Sequence, residues 1–282
     1  MESVAQIPRL RTAYASMTRK ERRIADYIAM HEDSIMNETV ADLAHHTNSS
    51  EITVSRFCKK LGFSGLQGLK IALARDMATA EGEVYHNIRP DDTTDVVATR
   101  VFQNTMDGLQ DTLKILNFSA VDKAATLLLQ AKNILVYGFG NSATVCKDIE
   151  TRFLRFGFAI RAYADAHMQA TTAALLTPQD VVLAVSHRGL TKELIESVQT
   201  AKNSNAQVIA ITSYIGSPLA RLADVVLTGM GRETKLYSEA IASRLVHMAI
   251  SDILYMRIAM QMQDQYEENM KKMRAVIAQK RG

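Results

Sequence analysis

The chain has 282 residues, 47% of them hydrophobic, and its 33 Lys and Arg residues against 30 Asp and Glu residues give a net charge of +3. This length and composition are sufficient for two globular domains with ordinary hydrophobic cores. The sequence contains neither an uncharged apolar run of about 18 residues nor the apolar stretch of a signal peptide, so we expect a cytoplasmic protein without a membrane segment. The small net charge does not identify a nucleic-acid-binding protein, and only the local distribution of charge can do so.

Residues 1–78 are predicted to form an all-α domain. After Thr18, apolar residues such as Ile24 and Ile28 recur at helical spacing between charged residues, which predicts an amphipathic helix. Residues 41–63, ADLAHHTNSSEITVSRFCKKLGF, then have the outline of a helix-turn-helix. A helix ends near His46, a polar turn follows, and the sequence continues into a second helix.

The second helix of this pair has two different faces. Ser50 is placed to cap it. Four apolar residues share one face and are expected to pack: Val54, Phe57, Cys58 and Leu61. The other face supplies the candidate DNA-binding residues: Ser50, Thr53, Arg56, Lys59 and Lys60.

Each of these candidates suits a particular contact with DNA. Arg56 is suited to guanine edges, Ser50 and Thr53 to bases or phosphates, and Lys59 and Lys60 to phosphates. Taken singly, such charges usually only solvate a surface helix. Their position on the second helix of a bihelical pattern favours DNA contact.

A linker is predicted between two domains. The polar segment AEGEVYHNIRPDDTTD runs from Ala80 to Asp95 and is interrupted by Gly82 and Pro90. A helical run through Leu116 follows. We therefore expect a helix-turn-helix domain at 1–78, a linker and connecting helix at 79–115, and an α/β domain at 116–282.

Five short runs rich in Val and Ile alternate with helical stretches in the C-terminal half. This alternation predicts a five-stranded parallel sheet flanked by helices. The predicted strands are residues 133–137, 159–163, 180–185, 207–212 and 224–228. Helices return from about Glu239 to Gln263.

The first predicted strand leads into Gly138-Phe139-Gly140-Asn141-Ser142-Ala143 and then into a helix. Glycines let the backbone turn tightly, and a helix N-terminus offers unpaired N–H groups and a positive dipole end, which together suit a phosphate. The same GxGxxA pattern begins a dinucleotide-binding fingerprint, with Asp165 near the position of a ribose-binding acid. NAD is therefore an alternative ligand for this loop.

The third predicted strand, DVVLAV, ends in Ser186-His187-Arg188-Gly189-Leu190-Thr191, again just before a helix. Because ligands of parallel sheets bind at the carboxyl ends of the strands, we expect the two loops to converge and surround a phosphate. NAD binding does not need the second loop. The pair of loops therefore favours an anion site and predicts no cofactor.

These motifs resemble a known family. GFGNS and SHRGLTKE, followed by QVIAITS and DVVLTG, resemble the sugar isomerase (SIS) phosphosugar-binding domain, and residues 41–63 are similar to the helix-turn-helix of RpiR/MurR-type transcription regulators. The resemblance covers nearly the whole chain in the family's order. It implies a regulator of sugar-metabolism genes that binds a double-stranded DNA operator, senses a sugar phosphate and assembles as a homodimer or homotetramer.

The resemblance assigns the phosphate-contacting hydroxyls to Ser142, Ser186 and Thr191. The full set of expected sugar-phosphate-binding residues is Gly140, Asn141, Ser142, Ser186, His187, Arg188, Gly189, Thr191 and Glu239. The chain departs from the family pattern at His187 and Arg188, where the family commonly has smaller or aromatic residues. Arg188 either binds the phosphate bidentately or narrows the sugar pocket, and the sequence leaves both roles open.

SIS domains also occur in isomerases and lyases, so such an enzyme with an accessory DNA-binding domain is the alternative function. Its candidate acid–base residues are His187 with Glu239 or Glu233, since isomerisation needs a base beside the carbon-bound proton. Ser186 and His187 do not form a hydrolase dyad, because adjacent residues alternate sides on an extended strand. A DNA-reading protein needs only to bind a ligand and change shape, and it does not need to turn the ligand over. We therefore predict a sensor without catalytic residues.

Cysteine and histidine positions predict no metal site. Cys58 and Cys146 have no metal-ligand spacing and lie in different predicted domains, so buried thiols are expected. His45 and His46 are adjacent and diverge on a helix, which is typical of surface or packing residues.

Overall fold

The computed structural model describes residues 10, 13, 14, 16–31, 34–79, 88–231 and 241–280. The chain forms two compact units, Met1–His86 and Asn87–Gly282. The first unit has a core made by helices, and the second has a core on each side of a sheet. The predicted fold class, an all-α N-terminal domain joined to an α/β domain with a five-stranded parallel sheet, is confirmed.

Hydroxyl side chains begin three helices of the first unit. Thr18 and Thr39 form capping boxes with the acidic residues three positions later, and Ser50 accepts a hydrogen bond from the backbone of Thr53, so the predicted cap at Ser50 is confirmed. The helices with described bounds are α1 Arg19–Met30, α2 Val40–His46, α3 Glu51–Lys60 and α4 Leu66–Thr79, and a 3-10 turn spans Ser34–Asn37.

The apolar face of α3 holds the first unit together. Val54, Phe57, Cys58 and Leu61 are all buried in its core, as the helical spacing predicts. Burial raises the pKa of the Cys58 thiol to about 11. A buried thiol with a raised pKa is little reactive near neutral pH, and the expected burial of Cys58 is confirmed.

The second unit alternates strands and helices. Its helices are α5 Thr94–Ile115, α6 Phe118–Gln130, α7 Asn141–Phe153, α8 Ala166–Ala174, α9 Lys192–Asn203, α10 Pro218–Leu222, α11 Ile241–Gln261 and α12 Gln263–Gln279. Its strands are β1 Ile134–Tyr137, β2 Ile160–Tyr163, β3 Val181–Val185, β4 Gln207–Thr212 and β5 Val225–Thr228, each within a residue of its predicted start.

All described strands pair in parallel in the order β2-β1-β3-β4-β5. The chain runs outward in one direction from β1 to β2 and in the other from β3 to β5. The change of direction lies between β1 and β3, and open α/β sheets bind ligands at the carboxyl ends of the strands at such a point. β3 is buried along its whole length, which explains its uninterrupted apolar sequence.

Helix α12 was not predicted from the sequence, where the helical pattern ended near Gln263. Its first half packs on the domain: Tyr266 contacts the rings of Phe156 and Tyr255, and Asn269 Nδ2 donates to the Arg155 carbonyl at 3.0 Å. The second half is mostly exposed, including its apolar residues Val276 and Ile277. No helix in the described ranges is long and apolar enough to cross a membrane.

Candidate DNA interface and anion-binding site

The turn between α2 and α3 is built by short-range hydrogen bonds. The buried Thr47 hydroxyl donates to the Leu43 carbonyl at 2.6 Å. Asn48 has a φ of 47°, in the left-handed region that asparagine tolerates better than most residues. The polar turn predicted at residues 47–49 is therefore present, and it sets the direction of α3.

The outward face of α3 carries the candidate DNA-binding residues. Arg56 and Lys59 are exposed, and Thr53 is half-buried. The Ser50 hydroxyl accepts from the Thr53 backbone N–H at 3.2 Å and lies 2.8 Å from Thr53 Oγ1. Both hydroxyls are thus partly engaged in capping the helix, whereas the guanidinium of Arg56 extends from its exposed side.

Lys60 is placed differently from Lys59. Its Nζ lies 2.8 Å from Glu21 Oε2 and 3.3 Å from the Ser16 carbonyl. Burial raises the pKa of Glu21, but hydrogen bonds from Lys60 and Thr18 outweigh it and hold the pKa below its usual value. A DNA phosphate would have to compete with this carboxylate for Lys60, so Lys59 is the better candidate for a phosphate contact.

Ile52 is a candidate that sequence reasoning missed. It lies in the first turn of α3, and the residue is 66% exposed. An apolar residue outside the packing face of a recognition helix is suited to the methyl group of thymine. Its departure from the packing period is the feature of the sequence that would have identified it.

The first loop, residues 138–140, connects β1 to α7. Gly140 caps α7 with a φ of 53°, and the Ser142 N–H donates to the Phe139 carbonyl at 3.0 Å. A Cβ atom on Gly138 would lie 2.7 Å from Cys146 Sγ and 3.1 Å from the Val185 carbonyl. Only glycine fits there, because the start of α7 and the end of β3 both press against the loop.

The second loop, residues 186–191, connects β3 to α9. Ser186 is buried, and its Oγ accepts from the Gly189 N–H at 3.1 Å, which leaves its own O–H as a donor. Gly189 has a φ of 61°. Thr191 is the N-cap residue of α9, but its side chain makes no capping hydrogen bond.

The two loops share one edge of the sheet. β1 and β3 are hydrogen-bonded neighbours, with Tyr137 opposite Ala184, so both strands end together and both following helices begin there. Two helix N-termini and the hydroxyl residues Ser142, Ser186 and Thr191 are thereby brought to the same edge. Such an arrangement suits an anion with several oxygen atoms. The described ranges contain no group of three His, Cys, Asp or Glu side chains suited to a metal ion.

The remaining candidates surround these loops. Asn141 is exposed as the first residue of α7, and Arg188 is exposed in the second loop. No carboxylate among the described residues pairs with Arg188. The predicted Glu239 and the alternative acid–base residue Glu233 lie outside the described residues. Asp165, considered as a ribose ligand, caps α8 by accepting from the Met168 N–H at 2.9 Å.

His187 is half-buried and contacts the buried residues Ser213 and His247, a cluster that sequence reasoning did not find. Its Nδ1 lies 2.9 Å from Ser213 Oγ, which in turn lies 3.1 Å from His247 Nε2. Burial, followed by the proximity of His187, lowers the pKa of His247 to about 3, although a backbone hydrogen bond at Gly229 acts in the opposite direction. His247 is therefore neutral near neutral pH. Nothing in the sequence pairs these residues, since they come from three separate elements.

Comparison with known proteins matches both units. Residues 5–80 match the model of the helix-turn-helix domain of the rpiR family, and residues 127–257 match that of the SIS domain. The HTH-type transcriptional regulator HexR of Escherichia coli is 30% identical over 276 residues, which cover 98% of this chain and 95% of HexR. The chain belongs to the RpiR family of transcription regulators. The family expected from the sequence is thus confirmed.

Two further relatives are a longer protein and a protein solved with a bound ligand. The bifunctional protein glk of Paraburkholderia xenovorans is 37% identical over 257 residues, which are 91% of this chain and 40% of that protein. The RpiR-family chain described here therefore spans less than half the length of this curated relative. The NanR protein of Vibrio vulnificus, solved in complex with ManNAc-6P, is 27% identical with a TM-score of 0.62 and covers 97% of this chain and 98% of its own.

Proposed function

We propose that this RpiR-family chain binds an operator through α3 and that a sugar phosphate bound at the two strand-end loops controls this binding. The convergence of two helix N-termini with Ser142, Ser186 and Thr191, on a chain that also carries a helix-turn-helix, is the observation that supports this function. The complex of NanR with ManNAc-6P is consistent with a phosphorylated sugar as the effector class.

The effector site is tested best at Thr191, because its hydroxyl makes no capping hydrogen bond to helix α9. Thr191→Val should leave the stability of the second unit nearly unchanged. It should weaken the binding of a sugar phosphate by about 1.5 to 3 kcal/mol, the range for a hydrogen bond to a charged group. Ligands would be found by thermal shift with aldose, ketose and sugar-acid phosphates, and affinities measured by calorimetry.

Ser186→Ala is the comparison variant for that measurement. It also weakens binding, but it removes the acceptor of the buried Gly189 N–H and should therefore lower stability as well. Unchanged affinity in both variants would remove the second loop from the effector site.

DNA reading is assigned to Arg56. Operators would be selected from random DNA by the wild-type protein, and Arg56→Ala should then lose about 1 to 3 kcal/mol on the selected site with little change on unrelated DNA. Lys59→Ala should weaken binding to the selected site and to unrelated DNA equally. It should also reduce the slope of log affinity against log salt concentration by about one unit.

Lys60→Ala is the matched control, since its ammonium group is paired with Glu21. It should have a smaller effect on DNA affinity than Lys59→Ala. A footprint and affinity unaffected by Arg56→Ala would show that this residue does not read bases.

We further propose that the chain acts as a homodimer or homotetramer. The outward face of α5 is apolar, with Phe102 71% and Leu113 62% exposed, whereas polar Asn104, Asp111 and Thr112 lie on its buried face. This distribution is the reverse of that of an ordinary surface helix, so a second copy is suited to cover the outer face. Two recognition helices would also read half-sites about 34 Å apart, or a multiple of this spacing.

Charged residues on that face should dissociate the assembly. Phe102→Asp combined with Leu113→Asp should raise the dissociation constant by roughly a hundredfold or more, since each residue occurs twice in a two-fold interface and its burial is worth about 1.5 to 3 kcal/mol. Sedimentation velocity would measure the change, with the exposed Leu175→Asp as control. A wild-type monomer at micromolar concentration, free and on DNA, would contradict the proposal.

We propose no catalytic residues. The support is that HexR is named as a transcriptional regulator and that the one fully described acid–base candidate, His187, hydrogen-bonds through Nδ1 to buried Ser213. The rival function, a sugar-phosphate isomerase, is tested by incubating the effector found by thermal shift with the protein and following isomerisation. Turnover that disappears in His187→Ala would establish the enzyme.

A further inference from the structure

A chain of hydrogen bonds runs from the second loop into the interior of the second unit. It begins at His187 Nδ1, passes through Ser213 Oγ at 2.9 Å and reaches His247 Nε2 at 3.1 Å. Ser213 and His247 are both buried. The end of β4 also holds the backbone of the loop, because Ser213 N–H donates to the His187 carbonyl at 2.9 Å.

The direction of each bond follows from the neutral state of His247. The backbone at Gly229 raises the pKa of His247, which is the effect of an imidazole N–H donating to a carbonyl, and since Nε2 faces Ser213 we assign that proton to Nδ1. A neutral imidazole with a proton on Nδ1 has a bare Nε2, which accepts the Ser213 O–H. Ser213 Oγ then accepts from His187, whose proton is thereby placed on Nδ1.

The far end of the chain lies against α5. The Met230 N–H donates to Thr112 Oγ1 at 3.1 Å. A Cβ atom on Gly229 would lie 2.5 Å from Ile250 Cδ1 and 2.9 Å from Thr112 Cγ2. Because the backbone at Gly229 is in close contact with both helices, a displacement there must move α5 or α11.

We propose that Ser213 and His247 are positioning residues that fix His187 as the Nδ1–H tautomer and couple the second loop, through Gly229 and Thr112, to α5. Helix α5 is the first described helix after the segment that joins the two units, so it is the element through which a change at the loop reaches the N-terminal half along the chain. The coupling deepens the proposed effector response and rests on it. The proposed tautomer of His187 is independent of the effector response.

The tautomer is tested first, on the full chain without any ligand. Long-range ¹H–¹⁵N spectra of histidine-labelled protein at about pH 9, above the ordinary imidazole range, should show Nδ1–H for both His187 and His247. His247→Leu removes the acceptor of the Ser213 hydroxyl and should shift His187 towards Nε2–H. His247→Gln keeps an acceptor and should preserve Nδ1–H. His187 found as Nε2–H in the wild type, or unaffected by His247→Leu, would overturn the assignment.

The coupling is tested with inorganic phosphate as the probe. Phosphate should slow amide hydrogen exchange in residues 94–115 of the wild type by about fivefold or more, relative to chloride at equal ionic strength. Thr112→Val removes the acceptor of the Met230 N–H, so this response should disappear while phosphate affinity stays within about threefold. Thr112→Ser retains the hydroxyl and should retain the response.

The outcomes separate the two proposals. If phosphate does not bind the wild-type protein, the strand-end loops are not an anion site and the proposed function fails, whereas the histidine spectra still decide the role of Ser213 and His247. If phosphate binds and protects α5 equally in the wild type, Thr112→Val and His247→Leu, the proposed coupling is refuted while the effector site stands.

Discussion

Replacing Gly189 with alanine is expected to destabilise the second unit by about 2 to 5 kcal/mol and to abolish sugar-phosphate binding. The φ of 61° costs a non-glycine residue about 1 to 2 kcal/mol. The new Cβ would also lie 2.2 Å from Ser217 Oγ and 2.6 Å from Ser217 Cβ. Such overpacking costs about 1 to 3 kcal/mol more.

Ser217 cannot simply rotate away from that methyl group, because its Oγ caps α10 by accepting from the Ala220 N–H at 3.2 Å. The loop must therefore move, and with it the Ser186 hydroxyl that holds the Gly189 N–H. Urea unfolding would measure the loss of stability and calorimetry the loss of binding.

Gly140→Ala is the matched control for this experiment. Its φ of 53° is also in the left-handed region, but no atom lies within 4 Å of the position of a new Cβ. It should cost only the backbone term of about 1 to 2 kcal/mol. Equal losses of unfolding free energy in Gly189→Ala and Gly140→Ala would mean that the contact with Ser217 has no energetic consequence.

Mild acid is expected to destabilise the wild-type protein through His247. Its pKa is about 3 in the folded chain and about 6.5 when exposed, so between these values the unfolded chain binds a proton that the folded chain does not. Stability is then lost as the pH falls from about 6.5 towards 3, by up to about 1.4 kcal/mol per pH unit.

The measurement compares urea unfolding of the wild type and His247→Gln between pH 4.5 and 7.5. Other titrating groups are common to both proteins. The difference between the two plots of unfolding free energy against pH therefore isolates the contribution of His247. The variant loses packing at every pH, and only its dependence on pH is diagnostic. Parallel curves would show that His247 is not buried as a neutral base.

The sequence by itself determined the features that local periodicity and turn chemistry control. The apolar runs of β3 and β4 became strands because an uninterrupted Val- and Ile-rich run satisfies both faces of a buried parallel sheet, whereas the edge strand β2 also contains the exposed Arg161. The alternating faces of α3 and the cap at Ser50 depend on spacings of three and four residues, which are visible in the sequence. The glycines of both loops were equally readable as points of tight backbone turning.

Only the tertiary structure decided which side chains act together. Lys60 pairs with Glu21 across 39 positions, and Ser213 brings His187 and His247 together from a loop and a helix. The apolar outer face of α5 and the unpredicted helix α12 also depend on which surface meets the rest of the unit. Contacts of this kind arise when segments that are distant in the sequence pack together. The spacing of residues in a single sequence does not show which distant segments meet.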